Sequence, residues 1–262
     1  MSLAAAEPHI LVEVLDNGIG RISLNRPETA NAVYPELMKA LCEALDQCIG
    51  DDAVKAIVIT GKGRNFAAGA DFSFLRDLLD SRTEGVNQSL YTWFKGSVER
   101  LWKCPKPTVA AVNGAAITVG CEVALACDAR VASTRSRFGE NWLQLGLIPP
   151  LGGAVLLPRL IGLTHAKRMI LEAQMIGGEE AQRIGLIDEL VEDDAILARA
   201  EERALAMAAL PQRAFAAAKA ALHRGFESTM ETEWVANVLN QAVLIGSDDF
   251  KAQVAARDPK KR

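Results

Sequence analysis

The chain has 262 residues, of which 50% are hydrophobic and 24% are charged. A chain of this length and composition can bury a substantial core in one domain, with at most a small appendage. The formal net charge of −4 and a pI near 5.5 argue against a nucleic-acid-binding protein, because no basic stripe dominates the sequence.

The cysteine pattern favours a reducing compartment. The five cysteines form no Cys-x-x-Cys pair and no zinc-type spacing, and they lie in apolar stretches as free buried thiols do. The three histidines are scattered, so we expect no metal site. No secretory signal is evident, and no apolar run reaches the ~18 residues that a membrane span needs. We therefore expect a cytoplasmic protein.

The beginning of the chain predicts two strands, a helix and a third strand. Apolar and polar residues alternate over residues 10–15 and 19–24, and Asp16-Asn17-Gly18 between them is typical of a hairpin turn. Apolar residues then recur at helical spacing over residues 33–49, and residues 54–60 form another strand pattern. This order indicates a mixed α/β fold.

A run of small residues, Phe66-Ala67-Ala68-Gly69-Ala70-Asp71, connects a loop to a predicted helix. Small side chains with a glycine allow a ligand to approach the bare backbone, and the start of a helix offers free N–H donors. Tight packing of two elements explains the same residues equally well. Residue type alone leaves both interpretations open.

A second unusual stretch covers residues 104–130. Residues 108–112 are β-branched and alanine-rich, which predicts a buried strand that ends at Asn113-Gly114. From Val119 the helical pattern is apolar on every side apart from Glu122, so we expect a central, buried helix. A carboxylate in such a helix is costly to ionise unless it is paired or used chemically.

The sequence predicts a long amphipathic helix over residues 86–102, an extended piece over 138–142 and a helix over 154–161. From Thr164 on the pattern becomes almost wholly helical, with further helices over 194–209, 211–223 and 227–245. The last of these helices would expose much apolar surface if isolated, so we expect them to pack on the first part or on another subunit. We divide the chain into a core of residues 8–195 and a helical C-terminal region of residues 196–258.

These motifs together resemble the crotonase family, also called the enoyl-CoA hydratase/isomerase superfamily. The resemblance spans about residues 10–251, and it rests on the order and spacing of motifs that are weak singly. The matching segments are Asn25-Arg26-Pro27, residues 66–71, Asn113-Gly114, Gly120-Cys121-Glu122, Cys127-Asp128, Phe138-Gly139, residues 145–149, Gly152-Gly153 and residues 181–187.

The resemblance implies an α/β fold, a crotonase-like spiral of strand-strand-helix turns with a helical C-terminal trimerisation region. It implies a homotrimer or a dimer of trimers. It also implies an acyl-coenzyme A thioester as substrate, a thioester enolate as intermediate, and no cofactor beyond the substrate's own coenzyme A. By matched position, the amides of Ala70 and Val119 would donate to the enolate oxygen, which backbone N–H groups at helix starts can do without reorganising.

The resemblance also implies where coenzyme A binds. The carbonyl of Ala68 would contact the adenine, with Gly69 and Asp71 beside it. The loop that holds Arg26 and Glu28 would line the rest of the coenzyme A site.

Glu122 matches one of the two carboxylates that hydratases of this family use. With a raised pKa it could exchange a proton with substrate carbons or water, and a paired structural carboxylate is the alternative. The second hydratase carboxylate aligns with Trp142, which cannot transfer a proton and would instead wall the acyl pocket. Glu140 would share a face of the extended piece with Trp142, either as a substitute acid or as a capping or ion-pairing residue.

Three hypotheses follow from the resemblance and its departures. The first is a hydratase-like enzyme with Glu122 as general acid/base. The second is an isomerase or another enolate-forming enzyme, for which one base suffices. The third is a non-catalytic acyl-CoA-binding member of the family, since fold does not fix function. Ser73, Pro150 and Leu151 also depart from residues that are common in relatives.

Overall fold

The computed structural model describes residues 8–79, 88 and 90–258. The strands in this part of the chain are β1 Ile10–Val14, β2 Ile19–Leu24, β3 Ala56–Gly61, β4 Thr108–Val112, β5 Ala115–Ile117, β6 Ala129–Ser133, β7 Arg137–Gly139, β8 Ile176–Gly177 and β9 Glu189–Val191. They form a larger sheet in the order β1-β2-β3-β4-β6-β9 and a smaller sheet in the order β5-β7-β8.

The α-helices of the described residues follow the strands in alternation and then dominate the C-terminal part. They are α1 Pro35–Gly50, α2 Phe72–Leu79, α3 Gly96–Lys103, α4 Val119–Leu125, α5 Gly153–Leu171, α6 Gly178–Arg183, α7 Ile196–Ala208, α8 Gln212–Arg224, α9 Met230–Ile245 and α10 Asp248–Arg257. None of these helices is both long enough and apolar enough to cross a lipid bilayer.

The larger sheet is parallel apart from its first pair. β1 and β2 form the predicted antiparallel hairpin, and every later neighbour in this sheet is parallel. Parallel strands are usually covered on both faces, which is why all residues of β3 and β4 are buried. Helix α1 packs on one face through Leu37, Leu41 and Leu45. Helix α7 packs on the other face through small side chains.

Most predicted elements are confirmed within a few residues. Pro35 opens α1 as expected, and Asn17 holds the hairpin turn by accepting the amide of Ile19 at 3.1 Å. The predicted helix over residues 86–102 appears as a π-helix over Leu90–Lys95 followed by α3. Its residues 86, 87 and 89 lie outside the described residues.

The extended piece predicted over residues 138–142 is wrong. Strand β7 ends at Gly139, and Asn141–Leu145 forms a 3₁₀ helix that ends at Gly146 with φ 70°. The amide of Gly146 donates to the carbonyl of Leu143 at 3.1 Å, which closes this short helix. Glu140 and Trp142 therefore do not share one face of a strand.

A buried ion pair fastens the C-terminal region to the core. Lys219 of α8 reaches the Asp128 carboxylate at 2.8 Å, and its side chain is only 6% exposed. One helical turn later, the His223 ring stacks on Trp102 of α3 with 3.4 Å between the ring centroids. Helix α7, which the division at residue 196 assigns to the C-terminal region, also packs on the sheet.

Loss of this ion pair should destabilise the protein. In the Lys219→Met variant the Asp128 carboxylate loses its cationic partner, and breaking a buried pair costs about 3–5 kcal/mol. Lys251→Met is the matched control, because Lys251 pairs with Asp248 on the surface at 3.1 Å and such pairs contribute about 1 kcal/mol or less. Urea unfolding of both variants measures the difference. Equal losses would contradict a structural role for Lys219.

Candidate active site

Two backbone segments, the loop before α2 and the loop before α4, meet beside the sheet. The amide of Ile117 donates to the carbonyl of Ala67 at 3.0 Å, and Ala67 forms a parallel bridge with Ala116. Ala70 and Val119 each lie three residues beyond a bridged residue. Because the bridge is parallel, the two segments run in the same direction and bring Ala70 and Val119 next to each other.

The amides of Ala70 and Val119 have no hydrogen-bond partner among the described residues. On either side of Ala70, the amide of Val33 donates to the carbonyl of Gly69 and the amide of Asp71 donates to the carbonyl of Val33, each at 2.8 Å. This alternation directs the Ala70 amide away from Val33. Val119 is the first residue of α4, so its amide has no acceptor within the helix. Two free donors of this kind can stabilise one developing oxyanion.

Thr118, directly before Val119, has a strained backbone. Its φ of 48° and ψ of −112° suit glycine, and they are an outlier for a β-branched residue. The Thr118 amide donates to the carbonyl of Gly139 at 2.8 Å. A Cβ atom on Gly69 would lie 2.9 Å from Thr118 Oγ1, so only glycine fits between the two loops. These contacts thus fix the direction in which the amide of Val119 points.

Glu122 is fully buried one helical turn after Val119. Its Oε1 accepts the amides of Leu151 at 2.9 Å and Gly153 at 2.8 Å, whereas Oε2 has no partner among the described residues. Burial raises the pKa of Glu122 to about 7, although these two amides and the indole of Trp142 act to lower it. A carboxyl group that titrates near neutrality and keeps one oxygen free is suited to acid–base chemistry.

Trp142 and Glu140 form a second polar group beside Glu122. The indole Nε1 of Trp142 donates to Oε2 of Glu140 at 3.0 Å. Glu140 is fully buried, and its Oε1 has no partner in the described part of the chain. Burial, followed by the charge of Glu122, raises the pKa of Glu140 well above its usual range. The site therefore contains two carboxyl groups that influence each other.

The contacts of Glu140 match neither a capping role nor an ion-pairing role. It precedes the 3₁₀ helix over Asn141–Leu145, but its side chain makes no cap hydrogen bond. Within the residues that the structure describes, no lysine, arginine or histidine pairs with it. The contacts of the described residues therefore give no support to a capping or an ion-pairing role for Glu140.

The predicted coenzyme A residues differ in accessibility. Ala68 is exposed, and its carbonyl accepts no hydrogen bond from the described residues. Glu28 is also exposed on the neighbouring loop. Gly69 is buried and its carbonyl is used by Val33, so it shapes the loop with φ 105°. Ala68 therefore presents an exposed backbone acceptor that the described residues leave free.

Arg26 and Asp71 form an ion pair. The Arg26 guanidinium donates to the Asp71 carboxylate at 2.9 Å and to the carbonyl of Ala32 at 2.8 Å. The hydroxyl and amide of Ser73 also donate to Asp71, and together with Arg26 they hold the pKa of Asp71 below its usual value. These contacts join the loop of Arg26 to the start of α2, so neither charge is free.

A cavity of about 310 Å³ lies beside the loop that binds Glu122. Leu151 and Gly152 line one side, and Trp102, His223 and Phe226 line another. The sequence did not predict that these aromatic residues line one cavity, because His223 and the turn residue Phe226 are more than one hundred residues from Trp102 in the chain. It also missed the amides that hold Glu122, although the Gly152-Gly153 pair was a usable signal.

Comparison with known proteins identifies the family. The family model described as Enoyl-CoA hydratase/isomerase matches residues 15–260. The Short-chain-enoyl-CoA hydratase of Clostridium acetobutylicum is 35% identical over 214 residues, which cover 80% of each chain. The 1,2-epoxyphenylacetyl-CoA isomerase of Escherichia coli is 31% identical over 242 residues, which cover 92% of each chain.

Solved structures agree with this match. The crystal structure of an enoyl-CoA hydratase from Bacillus anthracis superimposes with a TM-score of 0.88 at 29% identity and covers 97% of each chain. The crotonase-like α/β fold that the sequence predicted is thereby confirmed. The chain belongs to the enoyl-CoA hydratase/isomerase family.

Proposed function

We propose that the protein is a hydratase-like enzyme that acts on an acyl-coenzyme A thioester through an oxyanion-stabilised enolate. The observation that carries this proposal is the placement of Glu122, with one free oxygen, a helical turn from the unpaired amide of Val119. The amide of Ala70 lies next to it on the bridged loop. The hydratase and isomerase names of the relatives support the same chemistry.

The proposed reaction uses these groups in a fixed order. The thioester oxygen accepts hydrogen bonds from the amides of Ala70 and Val119. Glu122 removes a proton from water as the water oxygen bonds to Cβ, and the double-bond electrons shift toward the thioester oxygen. The two amides then stabilise the enolate, and one such donor typically contributes a factor of about 10²–10³ in rate. Protonation of Cα completes the addition.

Double-bond migration is the second candidate. Trp142 stands where hydratases carry their second carboxylate, and a single base can move a proton from one carbon to another. The family model that matches the chain is described as Enoyl-CoA hydratase/isomerase, so this reaction also lies within the range of the family. A non-catalytic acyl-CoA-binding role is the third candidate, but the unpaired Oε2 of buried Glu122 argues for chemistry.

The coenzyme A portion of the substrate would bind along the exposed loop. We propose that the free carbonyl of Ala68 accepts a hydrogen bond from the adenine. The Arg26–Asp71 ion pair would keep the neighbouring loop, including Glu28, in place around the coenzyme. The enolate chemistry described above requires no further cofactor, because backbone amides and carboxyl groups supply every step. The five buried, unpaired cysteines favour a cytoplasmic location.

The C-terminal region supports a proposal of self-assembly as a homotrimer or a dimer of trimers. Helix α9 buries no side chain within the chain, and Trp234, Val238 and Val243 are more than half exposed. Exposed apolar patches of this kind mark interaction sites. Residues 196–258 would then serve as the trimerisation region, while α7 and α8 also pack on the chain's own core.

Substitution of Glu122 tests the proposed reaction. Glu122→Gln keeps the shape of the side chain but cannot take a proton, so turnover should fall at least ~10²-fold. The assay offers crotonyl-CoA and then a 3-enoyl-CoA, and mass spectrometry with absorbance distinguishes water addition from migration of the double bond. Glu180→Gln on the surface is the control. A Glu122→Gln enzyme as fast as the parent would remove Glu122 from the mechanism.

The pH dependence should follow the ionisation of Glu122. Its raised pKa of about 7 means that the carboxylate form grows as pH increases through this value. Because water activation needs the carboxylate, kcat/KM for hydration should rise with pH and level off above about 7. If kcat/KM instead fell only at pH values near the ordinary pKa of glutamate, the group that controls the rate would not have a pKa raised by burial.

Assembly can be tested by charging the exposed helix. Val238 is 67% exposed in the single chain, so Val238→Asp should leave the fold intact and disrupt a subunit interface. Light scattering after gel filtration should show trimers or hexamers for the parent and smaller species for this variant. Val14→Asp, exposed on edge strand β1, is the control. A monomeric parent would refute the proposed assembly.

A further inference from the structure

Glu140 is a buried carboxyl group that the fold itself does not use. It makes no ion pair or cap among the described residues, and its hydrogen-bond donors are the indole of Trp142 and the thiol of Cys121, both uncharged groups. Its Oε1 is fully buried without a partner. Unpaired buried polar atoms are costly, and they persist mainly where a functional site requires them.

The strand register places Glu140 next to the oxyanion segment. Strands β5 and β7 pair in parallel with Ile117 opposite Gly139. The amide of Thr118 continues this pairing by donating to the carbonyl of Gly139 at 2.8 Å. Glu140 directly follows Gly139, which is hydrogen-bonded to Thr118. Thr118 in turn directly precedes Val119, whose amide is the proposed donor.

Glu140 also lies within electrostatic reach of Glu122. The charge of Glu122 disfavours ionisation of Glu140, and the nearby Cys121 thiol is itself held neutral by burial and by these two carboxyl groups. The Trp142 indole N–H influences both carboxyl groups, and its hydrogen bond is to Glu140. The arrangement favours one ionised and one protonated carboxyl group, since two adjacent buried charges would repel.

We propose that Glu140 is the proton donor to Cα in hydration, a position-shifted replacement for the carboxylate that hydratases carry where this chain has Trp142. This inference rests on the proposed function. Trp142 acts as a positioning residue, because its N–H holds Oε2 of Glu140 and leaves Oε1 to carry the proton.

The step balances as a net addition of water. Glu122 receives one proton from water, and the remaining hydroxyl forms the bond to Cβ. The enolate then collapses as its electrons return from the thioester oxygen to Cα, which takes the proton of Glu140. Glu122 ends protonated and Glu140 ionised, and passage of that proton from Glu122 to Glu140 restores the starting state. No oxidant or reductant is needed.

The test compares two reactions in one set of variants. Glu140→Gln preserves the size of the side chain and removes the acid, so hydration of crotonyl-CoA should fall at least ~10²-fold. Migration of the double bond of a 3-enoyl-CoA uses Glu122 as its base, so this reaction should lose much less activity than hydration does. Trp142→Phe should slow hydration less than Glu140→Gln does, because it removes only the positioning hydrogen bond. Glu180→Gln is the matched control.

Three outcomes would overturn the role of Glu140. Hydration that is unchanged in Glu140→Gln would exclude it as the donor. Equal losses in hydration and migration would show a merely structural role. Both of these results would leave the proposed hydration reaction in place, whereas a parent enzyme that does not hydrate crotonyl-CoA would refute that proposed function as well as the role of Glu140. Circular dichroism and thermal unfolding of Glu140→Gln confirm that the comparison is made on folded protein.

Discussion

The parallel bridge between Ala67 and Ala116 is the contact on which the site depends. It aligns two loops that are about fifty residues apart in the sequence through backbone hydrogen bonds, and the Asn65 side chain adds to them by accepting the amide of Ala115. The free amides of Ala70 and Val119 follow from that alignment. Small side chains are needed at this crossing, because any larger residue at Gly69 would collide with Thr118.

The second constraint is the burial of acid groups. Glu122 and Glu140 are both removed from water, and the described residues supply amides and an indole as donors in place of a cation. Burying an isolated ionised carboxylate costs free energy, so a carboxyl group in such a site tends to keep its proton. A pair of acids that share a proton at neutral pH is the starting state that proton transfer requires. The same arrangement would be a poor way to stabilise a fold.

The sequence predicted those parts of the site that depend on local residue type. Small residues around Gly69 allowed either an accessible backbone or tight packing, and the isolation of Glu122 in an apolar helix indicated a carboxyl group that is either paired or used chemically. Prediction failed where a long-range contact decides the conformation. The stretch from Phe138 to Trp142 has a strand-like composition, but the 3₁₀ helix closed by Gly146 turns Trp142 back toward Glu140. No local pattern contains that information.

The same limit applies to the charges and to the cavity. The sequence predicted that the loop of Arg26 lines the coenzyme A site, but it did not show that the fold brings Asp71 within 2.9 Å of this arginine. His223 and Phe226 line the cavity only because α8 docks on the core, and that docking depends on Lys219 more than ninety residues from its carboxylate partner. Residue type alone could not place these groups together.

The docking of α8 also means that the cavity has walls from separate parts of the fold. One wall is the loop of Leu151 and Gly152, and the other carries His223 from α8, which the Lys219–Asp128 ion pair and the stacking on Trp102 hold against the core. The shape of the cavity therefore depends on two residues that do not line it, Lys219 and Asp128. A shift of α8 would change the space beside the loop that holds Glu122 without any change in that loop.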